Sequence, residues 1–312
     1  MFLVKLSGGL GNQVSNYAFS RLLKYYFPNS LVKLRISDEA LSEHNGFELL
    51  KAFKLKNNTI IFASSKDVFI TTKRIPYSNL IIKHSFLRKI TNCLNHIPKI
   101  IFKFKAYDPL QYEKFSSNSK LITSKFVNID VEKSYMFWGL WLNYHYPEII
   151  DELKKELIFN ITSDDRNTIV VKHINYSQSV AIHIRKGDYL SERYSDSHNI
   201  VDEKYYIKAV SLIKQKLDNP TFFVFSDDSD FAKIFSEKNL DNYVLINWNN
   251  RDESYKDMYL ISKCKHYILS NSSFSYWGCL LGRDKDSIVV CPNKHTTDIP
   301  MWNVPGFILL PT

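Results

Sequence analysis

The residues best suited to chemistry in this chain stand together at the end of a short apolar stretch, residues 180–184. The stretch runs into His183, Arg185, Lys186 and Asp188. Its alternating pattern predicts a buried strand whose end carries three cationic or protonatable groups and one carboxylate. At the C-terminal edge of an open α/β sheet such groups lie in the crevice that binds ligands. Arginine suits an oxyanion with two oxygens, above all a phosphate, whereas the alternative is a solvated surface turn.

Two further polar segments, Ser226–Asp228 and Ser270–Ser273, follow strands predicted at residues 221–225 and 266–269. Strands alternating with helices predict a doubly wound parallel sheet, in which all three polar strand ends meet at one edge. One ligand could then contact all three. The remaining predicted elements of this part are strands at 243–246 and 287–291, and helices from Asp202 to Leu217, through Phe235, from about Glu253 to Lys263, and from near Phe274.

Each polar strand end has a chemistry that fits a nucleotide. Arg185 can hold a diphosphate through two hydrogen bonds, and Ser272 and Ser273, ahead of a helix, add hydroxyl and backbone donors. A carboxylate, either Asp227 or Asp228, suits the paired N–H donors of a guanine edge.

The aspartates of the second polar segment have competing interpretations. Asp228 and Asp230 could bind Mg²⁺ or Mn²⁺ against a nucleotide diphosphate. Alternatively both residues cap or begin a helix, the interpretation that we favour for Asp230.

A second glycine-rich candidate stands near the N-terminus. A strand is predicted at Phe2–Leu6, a glycine-rich loop at residues 7–13 and a helix at residues 16–26. Gly9 and Gly11 supply half of a dinucleotide-binding fingerprint, but Val14 occupies the third glycine position, where close contact requires a missing side chain. We therefore do not favour dinucleotide binding. A tight turn built from glycine does not, however, explain why the polar pair Asn12 and Gln13 follows it.

Composition limits the class of protein. The 312 residues, 45% hydrophobic and 23% charged, suffice for two ordinary domains. The net charge of +9 favours an anionic partner. The four separated cysteines predict neither zinc nor disulfides and fit a reducing cytoplasm. The N-terminus breaks into glycine too early for a secretory signal, and no apolar run is long enough to span a membrane.

Two segments are rich in aromatic residues. The segment between Thr71 and Phe126 contains eleven lysines and arginines but only two acidic residues, and aromatic residues are interleaved among them. This region could contact an acceptor, a membrane surface or nucleic acid, but a solvated basic face over an aromatic core is the commoner arrangement, and no motif for nucleic-acid binding accompanies it. The second segment, residues 137–147, could stack on a sugar or form core. A predicted helix at 147–159 and a polar stretch place the domain boundary at residues 165/166.

Four ordered motifs resemble a known family. They are Gly8-Gly-Leu-Gly-Asn-Gln13, His183-Ile-Arg-Lys-Gly-Asp-Tyr189, Phe225-Ser-Asp-Asp228, and residues 257–266 leading into Ser270-Asn-Ser-Ser-Phe-Ser-Tyr-Trp-Gly278. Together they are similar to bacterial α-1,2-fucosyltransferases, glycosyltransferase family 11. The resemblance implies a GT-B-like α/β fold of two Rossmann-like domains, with residues 1–165 on the acceptor side and 166–312 binding the GDP-sugar. It also implies GDP-fucose as donor, inversion at the anomeric carbon and no obligatory metal or other cofactor.

The resemblance also assigns roles to residues. Arg185 would hold the diphosphate, His183 with Asp227 or Asp228 the guanine, and Asn12 would approach phosphate and sugar. Ser272, Ser273 and Phe274 would close over the donor, with Gly9 and Gly11 in the glycine-rich loop 8–13 beside it. The catalytic candidates are Arg185, Asn12 and Asp188.

Some positions depart from the family pattern. Lys186 replaces a usual second arginine and loses the planar fork, so that its direct contact with phosphate is in doubt. Val14, Ser15 and Asn16 replace other residues of the first motif, and Tyr276 replaces a tryptophan; we interpret these as packing variation.

The function that this resemblance implies is transfer of L-fucose to the 2-hydroxyl of a galactose-type acceptor in a cell-surface glycan, either an oligosaccharide or a lipid-linked glycan. Asp188 is a candidate base, but beside an arginine it is a better orienter, and the leaving phosphate could take the proton instead. The expected location is the cytoplasm, with peripheral contact at the anionic inner face of the membrane. Alternatives are a metal-dependent transferase, transfer of another GDP-linked deoxy sugar such as colitose, and a basic protein that only binds nucleic acid or lipid.

Overall fold

The computed structural model describes residues 1–72 except 43 and 57–59, residues 129–186 except 133, 138, 140, 142–145, 163 and 164, and residues 201–294 and 304–312. Three predictions fall outside these residues. They are the basic region from residue 73 onward, most of the aromatic segment 137–147, and Asp188.

A small parallel sheet begins the chain. Strand β1, Phe2–Leu6, lies between β2, Val32–Ile36, and β3, Tyr135–Phe137, with Val4 paired to Leu34 and to Phe137. Phe2, Leu3 and Val4 are buried, as expected for a central parallel strand covered on both faces. The predicted first strand is confirmed.

The second sheet has six parallel strands, which confirms the predicted doubly wound arrangement. Its order is β6-β5-β4-β7-β8-β9, and the central strand β4, Ser179–Ile184, is buried along its whole length. The neighbouring strands have the bounds Thr221–Ser226 for β5, Tyr243–Ile246 for β6, His266–Ile268 for β7, Val289–Pro292 for β8 and Phe307–Leu310 for β9.

Ten helices connect these strands within the described part of the chain. They are α1 Leu10–Tyr26, α2 Asp38–Ser42, α3 Leu49–Ala52, α4 Ser65–Thr72, α5 Ile150–Glu156, α6 Asp165–Tyr176, α7 Glu203–Lys216, α8 Ser229–Asn239, α9 Tyr255–Lys263 and α10 Ser273–Gly282; a 3₁₀ turn at Arg251–Glu253 precedes α9. None of the helices described here has both the length and the apolar composition needed to cross a membrane.

The start of α1 corrects the prediction of a loop over residues 8–13. Only Ser7, Gly8 and Gly9 form the turn, with Gly8 at φ +70°, and the helix begins at Leu10. The N–H of Gln13 donates to the Gly9 carbonyl over 3.0 Å and closes the first helical turn. Glycine and asparagine are weak helix formers, so propensity alone predicts a later start; tertiary packing of this turn overrides it.

Helix α6 and strand β9 are among the elements that the sequence analysis did not predict. Helix α6 lies in the stretch between the predicted helix at 147–159 and strand β4, and β9 extends the large sheet beyond β8. The predicted helix itself is shorter, because α5 ends at Glu156 and Phe159 pairs in an isolated bridge with Phe53.

A continuous apolar core joins the two sheets. It includes Phe2 and Val14 from the N-terminal part together with Phe223, Met258 and Trp277 from the C-terminal part. A separate core covers the other face of the large sheet, where α7 and α8 pack. The carboxyl edges of the sheets therefore keep their positions through shared buried side chains as well as through the chain connection.

Helices α1 and α10 meet at their first turns. A methyl group at Gly11 would lie 2.5 Å from the backbone nitrogen of Phe274, so the close approach requires glycine. One turn further on, the Trp277 indole Nε1 donates to Ser15 Oγ over 2.6 Å. Ser15, which departs from the usual family sequence, thus supplies an acceptor inside the contact.

Substitution of Gly11 by alanine tests this contact. The helix propensity gained, about 1 kcal/mol, is smaller than the overpacking penalty of about 3 kcal/mol expected against rigid backbone. We expect a fall in melting temperature of roughly 5 °C, measured by circular dichroism. Gly9→Ala is the matched control, because its methyl would meet the movable His44 side chain at 3.1 Å. Equal melting temperatures of the two variants would contradict the close approach.

Candidate functional site

Strand β4 positions two of the predicted site residues at its carboxyl end. Val180, Ile182 and Ile184 face the core beneath α7 and α8, whereas Ala181 belongs to the core shared with α1 and α10. His183 therefore points to the side of α10, and Arg185 follows where the strand ends.

His183 is buried and neutral. Its Nδ1 lies 2.8 Å from Ser270 Oγ, and its ring centroid lies 5.8 Å from that of Phe274. Burial, and then the Arg185 charge, lower its pKa to about 3, although Asp227 opposes this effect. The imidazole is thus a hydrogen-bonding group for an uncharged partner and does not add to the positive charge of the site.

Arg185 is held by a carboxylate. Its Nε lies 3.1 Å from Asp227 Oδ2, and about a fifth of each side chain is exposed. The other carboxylate oxygen of Asp227 accepts the backbone N–H of Lys186 over 2.8 Å. Asp227 therefore orients the arginine, which is the role that the sequence suggested for Asp188. The Lys186 ammonium lies 3.5 Å from the centre of the Phe231 ring, where it packs against α8.

Asp228 is the N-cap of α8. Its Oδ1 accepts the Phe231 N–H over 3.0 Å, and Asp230 lies in the first helical turn, as favoured from the sequence. Across the described residues, no cluster of three or more His, Cys, Asp or Glu side chains has the arrangement of a metal site.

The start of α10 forms the third polar strand end. Ser270 and Asn271 are fully buried, and Ser272 caps the helix through its Oγ, which accepts the Phe274 N–H over 3.3 Å. Ser273 reaches across to α1, where its Oγ donates to Asn12 Oδ1 over 2.8 Å. Two helix starts, each favouring negative charge, thus lie side by side.

The structure brings the predicted residues of distant segments together. Asn12 contacts Ser273, Phe274 lies beside His183, and Arg185 follows His183 on the same strand end. The members of this group are Gly9, Gly11, Asn12, His183, Arg185, Asp227, Ser272, Ser273 and Phe274, with Asp228 adjacent as a helix cap. Asp188 lies outside the described residues.

Gln13 forms hydrogen bonds to the loop that contains Gly46 and Glu48, which the sequence analysis did not include in the site. Its Nε2 donates to the carbonyls of Gly8 and Gly46, and its Oε1 accepts the N–H of Glu48. The polar pair Asn12 and Gln13 was the available signal in the sequence, but Gly46 and Glu48, two of the partners of Gln13, lie more than thirty residues away.

A second polar network missed by sequence analysis surrounds Asp257 in the first turn of α9. The Asn249 side chain donates to Asp257 Oδ1 over 2.8 Å and exchanges hydrogen bonds with Asn167, which also accepts from the Trp248 indole. Burial raises the pKa of Asp257 to about 7, against the opposing effect of the Asn249 hydrogen bond. A buried acid of this kind near a sheet edge is itself a mark of a functional region.

A solved structure shows the same fold. The NodZ α-1,6-fucosyltransferase co-crystallised with GDP superposes with a TM-score of 0.51, covering 90% of this chain and 91% of NodZ at 13% identity. At this identity the likeness concerns the fold alone. The predicted GT-B-like architecture is confirmed, and the fold is that of a GT-B-like glycosyltransferase.

Sequence comparison gives the family. The sequence model of glycosyltransferase family 11 matches residues 1–300. An α-1,2-colitosyltransferase of Escherichia coli is 31% identical over 93% of this chain and 90% of its own length. The O-antigen biosynthesis glycosyltransferase WbnK of Escherichia coli is 28% identical, covering 93% of both chains. The chain belongs to glycosyltransferase family 11, which confirms the resemblance drawn from its motifs.

The raised pKa of Asp257 makes a prediction about stability. The folded carboxyl keeps its proton up to about pH 7, whereas the unfolded one loses it near 3.8, so stability falls as pH rises through this interval. Asp257→Asn removes this charge and keeps the acceptor oxygen. We expect it to raise the melting temperature at pH 8 but to change it little at pH 4.

The matched control for this experiment is Asp252→Asn, since the Asp252 side chain is 82% exposed. It should give no gain that depends on pH. A gain from Asp257→Asn that is the same at pH 4 and pH 8 would show that the carboxyl is not titrating in this interval.

Proposed function

We propose that the protein transfers L-fucose from GDP-fucose to the 2-hydroxyl of a galactose-type acceptor, with inversion and without an obligatory metal. The observation that carries this proposal is the Arg185–Asp227 pair next to the touching first turns of α1 and α10, in a chain of family 11. An oriented guanidinium and two helix starts match the two negative phosphates of a nucleoside diphosphate.

The diphosphate is the group that needs most stabilisation as it leaves. In the proposed reaction the bond from the anomeric carbon to phosphate lengthens first, and negative charge grows on the departing oxygen. Arg185 and the donors at the α10 start, including Ser272 and Ser273, neutralise that charge from fixed positions, which is often the largest electrostatic contribution to a rate. Asn12, whose Oδ1 accepts a hydrogen bond from Ser273, would orient the sugar and phosphate.

The base of the nucleotide is assigned to His183 and the aspartates after β5. A neutral, buried imidazole can hydrogen-bond a guanine without the cost of removing a charge from water. Asp227 also holds Arg185 for the diphosphate, and Asp228 fixes the start of α8. Phe274, beside His183, would cover the donor. Asp188 remains a proposed orienter of the arginine.

The transferred sugar has a second candidate. The relative that is 31% identical is an α-1,2-colitosyltransferase, which favours a dideoxy sugar on the same kind of donor. The residues assigned above serve the nucleotide and the diphosphate, so they fit both donors equally. We retain L-fucose as the primary proposal and colitose as the alternative.

The acceptor and its location follow from chemistry and charge. WbnK is named for O-antigen biosynthesis. We propose a galactose-containing oligosaccharide or lipid-linked glycan as acceptor. The net charge of +9 fits an enzyme working in the cytoplasm at the anionic inner face of the membrane.

Nucleotide selectivity tests the donor assignment. We expect GDP to raise the melting temperature by several degrees at concentrations where UDP and NAD do not, because the diphosphate clamp is shared but the base contacts are not. Transfer from GDP-fucose and GDP-colitose to lactose, followed by mass spectrometry with linkage analysis, then ranks the two sugars.

Activity abolished by EDTA would favour the metal-dependent alternative. Salt-sensitive binding to RNA or vesicles without any GDP shift would favour a binding protein.

Arg185 carries a second prediction. Arg185→Ala should lower kcat/KM about a hundredfold to a thousandfold, because loss of one preorganised donor to a developing negative charge typically costs that much. Arg185→Lys should recover only part of the loss, since an ammonium cannot make two parallel hydrogen bonds. The comparison variant is Lys186→Ala, which removes an ammonium packed on Phe231 and should cost far less. Near-normal turnover by a folded Arg185→Ala enzyme would rule out the proposed clamp.

A further inference from the structure

The side chain of His44 lies against the glycine turn that opens the site. An added carbon at Gly9 would be 3.1 Å from His44 Cδ2, so the imidazole covers the backbone directly before α1. The residue is exposed. Gly11, two residues further along the same turn, touches Ser273 and Phe274 of α10. The imidazole is therefore next to the proposed donor site, but on the side formed by the N-terminal sheet.

The backbone of His44 adopts a conformation that is uncommon for residues other than glycine. Its φ is +52°, in the left-handed region that glycine and asparagine enter more readily. The surrounding structure holds it there. Gln13 donates to the Gly46 carbonyl over 2.8 Å and accepts the Glu48 N–H over 2.9 Å.

The same loop is fixed from the C-terminal part of the chain. Asn45 Nδ2 donates to the Arg251 carbonyl and to Ser254 Oγ, each over 3.0 Å. The residues that follow His44 are thus held by hydrogen bonds to both the N-terminal and the C-terminal parts of the chain. A strained residue at a site, over-determined by its neighbours, is a reason to look for a function that needs its side chain.

We propose that His44 is the residue that takes the proton from the acceptor hydroxyl. This inference rests on the transfer reaction proposed above. As transfer proceeds, the hydroxyl oxygen forms a bond to the anomeric carbon, and the bond from that carbon to the phosphate oxygen breaks with its electron pair staying on GDP. The hydroxyl proton moves to an imidazole nitrogen of His44, and GDP leaves on the opposite face of the sugar.

The other groups that could accept a proton, among the described site residues, make structural contacts of their own. Asp227 is paired with Arg185, and Asp228 caps α8. His183 is buried beside Ser270 on the nucleotide side of the site. Glu48 is buried under the same loop, where it accepts weakly from Ser254. His44 is exposed, and its ring lies against Gly9 directly before α1.

The test uses variants that remove the His44 imidazole, the proposed general base, and that place at this position a residue which adopts positive φ more readily. Glycine and asparagine both adopt positive φ readily, so His44→Gly and His44→Asn should fold and melt at or above the wild-type temperature. We expect kcat for transfer to lactose to fall about a hundredfold or more, the usual contribution of a general base. GDP should still stabilise both variants as it does the wild type. Imidazole added to His44→Gly should restore part of the activity.

The control is His173→Asn on α6, an exposed histidine whose ring lies beside Phe223 on another part of the molecule. It should leave kcat and melting temperature unchanged. The dependence of kcat on pH gives a second readout, because an imidazole accepts a proton only when it is deprotonated. Activity should fall on the acid side in the wild type and lose that dependence in His44→Asn.

The charged groups around the loop among the described residues are Glu48, Lys51, Arg251 and Asp252. All of them persist in the His44 variants, so a lost acid dependence is assigned to His44. Variants that keep kcat within threefold, or that keep the acid dependence, overturn the proposal and leave the departing phosphate as the proton acceptor. If the wild type itself shows neither a GDP shift nor transfer, the proposed function fails, and this inference fails with it.

Discussion

The contact between the first turns of α1 and α10 is the feature on which the rest of the site depends. Gly11 lets the two helix starts touch, Ser273 bonds to Asn12 across the contact, and Ser15 receives the Trp277 indole one turn away. Since α1 follows the central strand of the small sheet and α10 follows β7 of the large one, this contact brings the two carboxyl edges together. Without it the predicted site residues would lie on separate surfaces.

Burial decides which groups at this junction carry charge. His183 is neutral because it is enclosed and lies near a guanidinium, whereas Arg185 stays charged beside the partly exposed carboxylate of Asp227. The positive potential of the site therefore comes from one oriented arginine and two helix starts. This arrangement suits a ligand with a concentrated negative charge at one end and an uncharged aromatic base at the other.

Most elements of the C-terminal sheet were predictable because their signals are local, although β9 was missed. Strand β6 is found where the apolar run predicts it, and α7 begins after Asp202, whose side chain accepts the Tyr205 N–H as an N-cap. The start of α1 was predicted too late, because Gly11 and Asn12 are unfavourable for a helix in isolation and are stabilised by partners on α10. Helix α6, which begins at Asp165, was missed since the polar stretch at residues 160–167 resembles a linker.

By itself, the sequence determined the doubly wound sheet, the three polar strand ends and the family, because apolar periodicity, caps and motif order are properties of short segments. Only the tertiary structure decided which residues interact. Asp227 forms an ion pair with Arg185, Ser273 donates a hydrogen bond to Asn12, and Gln13 donates one to the loop that carries His44. The physical reason is that hydrogen bonds and desolvation depend on distances between atoms, and these pairs come from segments far apart in the chain. The residue types of the site could be predicted from the sequence. The protonation states and orientations of its side chains are set by tertiary contacts where the two sheets meet.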